Sequence, residues 1–66
     1  MSRALNKFEK EYIAEIELAL KERTDLTGSE RYLLENEIEF IKDGTIQMTG
    51  PDTVEERLER LRNHFP

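Results

Sequence analysis

A chain of 66 residues with a net charge of -5 and no cysteine has no disulfide and no thiolate metal site to hold it together. Its acidity disfavours binding of a phosphate backbone by the whole surface. A single small domain over 1–66 is the most that this length supports, and a chain this short is helped by self-association, which makes a homodimer the expected state.

Three helices account for most of the chain. In the first, predicted over about 2–23, Leu5, Phe8, Tyr12, Ile16 and Ala19 recur at spacings of three and four, with Ile13 and Leu20 widening the stripe. Lys7, Lys10, Ala14 and Lys21 fall on the opposite side, and so does Leu18. Thr27 followed by Glu30 has the form of a capping box and opens a second helix over about 28–42. Its apolar residues make two lines at 100° per residue: Leu34, Ile38 and Ile41 form one, Leu33 and Phe40 the other, with Tyr32 beyond. Glu37 projects between the lines. So wide an apolar surface predicts a central helix covered on two sides. Gly44 is placed to end it in the left-handed conformation.

Thr45-Ile46-Gln47-Met48-Thr49 alternates apolar and polar residues and predicts a short extended segment, either plugging the bundle end or offering an edge for pairing. Asp52 with Glu55 predicts the cap of a third helix over about 53–64, whose seam is Val54, Leu58, Leu61 and Phe65. Glu56–Arg60 and Glu59–Arg62 would support its exposed face. The expected fold is all-α: a long antiparallel hairpin of the first two helices, with the shorter third packed across it and leaving one end uncovered.

Catalytic and metal chemistry find little to work with. Alignment of Gly44 with the glycine of a calcium-binding loop puts Ile41 and Gly50 at positions that must supply oxygen. The acidic pairs Glu11–Glu15 and Glu35–Glu39 lack the Glu-x-x-His partners of a di-metal bundle site. Ser2, Ser29 and His64 are the only serines and histidine, too few for a nucleophile, base and orienter converging on one point. No glycine-rich phosphate loop is present. The expectation is no enzyme, no metal, no cofactor and no small-molecule substrate.

Glu37 stands apart because its neighbours on the helix are apolar. A buried carboxylate needs a partner, so an internal or dimer-interface pair, with Arg57 as a candidate, is expected ahead of a groove filled by another protein. Arg57, Arg60 and Arg62 with Asn63 and His64 could pass for a recognition helix, yet three glutamates share it and the preceding connection is too long for a helix-turn-helix.

The function expected is a small acidic helical interaction module: a regulator, inhibitor or adaptor binding another protein, for instance one with a basic surface. Its candidate interface is Leu18, Tyr32, Leu33, Glu37, Phe40, Ile46 and Met48. The alternative is a small DNA-binding or DNA-mimicking regulator of the phage or plasmid type, mimicry resting on Glu11, Glu15, Glu22, Glu35 and Glu39. With no membrane-length apolar run and no signal-peptide core in MSRALNKFEKEY, a cytoplasmic location is expected.

Overall fold

Three α-helices make up the fold in the computed structural model, which describes residues 4–64: α1 Lys7–Glu22, α2 Gly28–Lys42 and α3 Val54–His64. Ser2, the expected start of the first helix, and Phe65, the expected end of the third helix's seam, lie outside the described residues.

Each helix begins where a side chain takes up free backbone N–H groups. Asn6 is extended, and its Oδ1 accepts from the Glu9 amide at 2.9 Å while Glu9 Oε1 accepts from the Asn6 amide at 3.0 Å. That box starts α1 at Lys7, later than periodicity suggests, because an extended cap residue cannot continue a helix backwards. α1 therefore has 16 residues, about 24 Å at 1.5 Å per residue. Thr27 and Glu30 form the expected box at α2. Gly44 closes α2 at a φ of 90°, the left-handed geometry that glycine adopts without strain. Its amide donates to Ile41 O, and the Ile46 amide reaches back to Phe40 O.

The α3 cap differs from expectation. Thr53, not Asp52, receives the amide of the residue three positions on, and that residue is Glu56 rather than Glu55. Asp52 Oδ1 accepts from the Thr53 amide and its Oδ2 accepts from Arg60. Glu15 of α1 completes the end of the helix by accepting from the Val54 amide at 3.0 Å. A carboxylate at that point also meets the positive end of the helix dipole.

The core consists of Tyr12, Ile13, Ile16 and Ala19 from α1, Leu34 and Ile41 from α2, and Val54 and Leu58 from α3. α1 packs against both other helices, so the central helix is α1 and not α2. Tyr12 near the start of α1 meets Glu37 late in α2, and Leu20 O near the end of α1 meets Arg31 early in α2. The pair is antiparallel. Along the other edge of α2, Arg57 reaches Glu37 and Arg62 reaches Glu30, so α3 runs antiparallel to α2. Because α3 meets α2 through these polar bonds, the second apolar line of α2 is left uncovered.

Residues 45–49 form no strand; Ile46 and Met48 pack against the core while Thr45, Gln47 and Thr49 are exposed. The Met48 peptide is held from both sides by the start of α1. Its amide donates to Glu9 Oε2 at 3.1 Å, and its carbonyl accepts from Asn6 Nδ2 at 2.7 Å. The segment closes the end of the bundle that the short third helix was expected to leave open.

Candidate functional site

Two features stand out once the helices are placed: a buried polar contact shared by all three, and an apolar line on α2 that none of them covers. The first is built on Glu37, which is buried. Tyr12 of α1 donates its hydroxyl to Glu37 Oε1 at 2.9 Å, and Arg57 of α3 donates Nε to Oε2 at 2.9 Å. Both carboxylate oxygens are occupied, as a buried charge requires. Burial, reinforced by the Glu37 charge, pushes the Tyr12 hydroxyl far above its ordinary range. It stays a protonated donor at ordinary pH. The arrangement fixes one charge among three helices, with Arg57 as the internal partner considered for it.

The other described arginines are committed within the fold as well. Arg23 grips Asp25 with two nitrogens and reaches Glu55 with a third. Arg62 binds Glu30 through Nε at 2.7 Å and Nη2 at 3.2 Å. The Arg62 bond, helped by the Thr27 amide, holds the Glu30 carboxyl down at about 2, and Arg23 holds Asp25 well below the usual carboxylate range. Arg60 pairs with Asp52, and Arg31 donates to Leu20 O at 2.8 Å. The expected Glu56–Arg60 and Glu59–Arg62 pairs are replaced by these longer reaches, which join elements instead of decorating one helix. The recognition-like arginines of α3 thus face carboxylates of their own chain.

The second feature is the outer surface of α2. Leu33 is 39% exposed, Phe40 45% and Tyr32 65%. At 100° per residue, Leu33 and Phe40 share a line with Ser29 and Asn36, and Tyr32 lies beside it. Leu33 forms one wall of an open groove of about 800 Å³, with Leu61 and Arg62 of α3 opposite and Asp25, Ser29 and Glu30 around it. Leu18 is exposed too, at 54%, but it lies by Val54 and Glu55, across α1 from this line.

The seven candidate interface residues therefore separate into groups. Tyr32, Leu33 and Phe40 come together on α2. Leu18 is isolated from them, Ile46 and Met48 close the core, and the Glu37 carboxylate is satisfied inside the fold. Of the carboxylates considered for DNA mimicry, Glu11, Glu22, Glu35 and Glu39 are exposed, whereas Glu15 caps α3. Glu9 and Glu15, which join α1 to the loop and to α3, were not among the candidates for a structural role. For Glu9 the signal was present, since Asn6-x-x-Glu9 has the capping-box pattern; no local pattern marks Glu15.

Among the described residues, no group of three or more His, Cys, Asp or Glu is placed to hold a metal ion, and no helix is long and apolar enough to cross a membrane. Compared with models of protein families, with characterised proteins and with solved structures, the chain matches none.

Proposed function

We propose that the protein is a non-enzymatic interaction module, acting as a regulator, inhibitor or adaptor, and that it binds another protein through the outer surface of α2. The observation that carries this reading is the exposure of Leu33, Phe40 and Tyr32 together on one helix, beside a groove edged by Leu61. Large aromatic and aliphatic side chains grouped at the surface are the usual anchors of protein contacts. The internal pairing of Arg57, Arg60 and Arg62 weighs against DNA as the partner, because a phosphate would have to displace carboxylates already in place. A cytoplasmic location fits this reading.

The test is quantitative affinity capture from source lysate with the parent chain and with a Leu33→Ser/Phe40→Ser variant. A specific partner should be retained by the parent and lost by more than about tenfold with the variant, as expected for removal of interface anchors. Equal retention by both chains would contradict the assignment. A labelled DNA duplex is expected to remain unshifted. Self-association through the same surface is the variant of this reading that sedimentation at micromolar concentration separates: a dimer abolished by Phe40→Ser would make the partner a second copy.

A further inference from the structure

We infer that the partner on α2 is an amphipathic helix with basic residues flanking its apolar face, an inference that rests on the protein-binding reading above. Leu33 and Phe40 are two turns apart, about 10 Å along the axis, a spacing that apolar residues at i and i+7 of a second helix can match. On one side the line is bounded by α3, where Leu61 and Arg62 stand across the groove from Leu33.

The other side is acidic. Beyond Tyr32, the 100° rotation per residue brings Glu39 and then Glu35. Both are exposed, and carboxylates four residues apart on a helix repel each other. Neither has an ion-pair partner among the described residues. Arg31, one turn before Glu35, is instead drawn to Leu20 O at the end of α1. Lys42, three residues past Glu39, forms no ion pair with it. The fold thus places an exposed apolar line beside two negative charges that have no ion-pair partner among the described residues.

The occupant that answers both features brings apolar side chains to Leu33 and Phe40 and Lys or Arg to Glu35 and Glu39. A second copy of this chain would bring the same acidic margin and a further net charge of -5, which opposes its approach. Nucleic acid would bring phosphates to the same carboxylates.

The probe is a displayed library of helical peptides with a fixed leucine seam and flanking positions randomised among Lys, Arg, Glu, Gln and Ser, selected against the full chain. Lys and Arg should be enriched over Glu at the flanks on the side facing Glu35 and Glu39. The selected peptide should bind a Glu35→Gln/Glu39→Gln variant roughly tenfold more weakly, the scale of two exposed charge contacts. It should lose measurable binding to Leu33→Ser/Phe40→Ser, whose fold circular dichroism should show intact. Binders that need Leu33 and Phe40 but show no basic enrichment, or that bind the Gln variant equally well, overturn this inference and leave the protein-binding reading standing. If no binder depends on Leu33 and Phe40, both fall. A dimer in sedimentation that Phe40→Ser abolishes assigns the surface to a second copy and overturns the basic-helix inference.

Discussion

Glu37 shows how much one side chain can determine. With apolar neighbours on its helix, it could be buried only if donors reached it from elsewhere, and Tyr12 and Arg57 do so from the other two helices. Removing one donor leaves a carboxylate under-satisfied in a site nearly closed to water. Arg57→Ala should therefore cost about 2–3 kcal/mol, and Tyr12→Phe about 1 kcal/mol, in urea unfolding. If both cost no more than an exposed substitution, the contact is not formed in solution. Glu30 gives a pH-dependent counterpart. Its carboxyl is held at about 2 when folded, chiefly by Arg62, below its unfolded value. A depressed carboxyl stabilises the fold above its unfolded pKa and loses that contribution as pH falls through the folded one. The contribution should be complete above about pH 5 and fade towards pH 2. Unfolding titrations of Glu30→Gln should show a flatter acid limb than the parent, and an unchanged limb would argue against the pair.

At the scale of the element, the helix ends show what sequence reveals and where it misleads. Thr27-x-x-Glu30 and Gly44 act as their local chemistry suggests, because capping and left-handed closure need only near neighbours. The start of α1 was obscured by Leu5, which continues the apolar period past the true boundary while packing against the core from outside the helix. The start of α3 was ambiguous because Asp52 and Thr53 are both good caps, each with a glutamate three residues on. Arg60 draws Asp52 away, leaving Thr53 to receive the Glu56 amide. Thr53→Ala should cost about 1 kcal/mol, the usual value of a lost cap. A Thr53→Ala cost near zero would restore the other register. The central helix differs from expectation for a related reason. Counting apolar residues around α2 ignores the arginines that Glu30 and Glu37 require. Those arginines hold α3 along the edge of α2, so the Leu33–Phe40 line stays open.

For the whole molecule, the manner in which α3 is attached matters most. Four ion pairs tie α3 to α1, α2 and the connection between them: Arg23–Glu55, Arg57–Glu37, Arg62–Glu30 and Arg62–Asp25. Its fully buried apolar residues are only Val54 and Leu58. An 11-residue helix is not stable by itself in water, and its two more exposed pairs, Arg23–Glu55 and Arg62–Asp25, weaken with salt. In hydrogen exchange, α3 amides should open before those of α1, and more readily at high salt; uniform protection across the helices would contradict this attachment. The second consequence of the packing is the uncovered surface of α2, on which the functional proposal depends. Its most direct test needs no partner: urea unfolding of Leu33→Ser/Phe40→Ser beside the parent chain. With both side chains about half exposed, stability should fall by no more than about 2 kcal/mol, well short of two core truncations. A loss of several kcal/mol would mean that this line is buried in the folded molecule, and that α2 is covered on both sides after all.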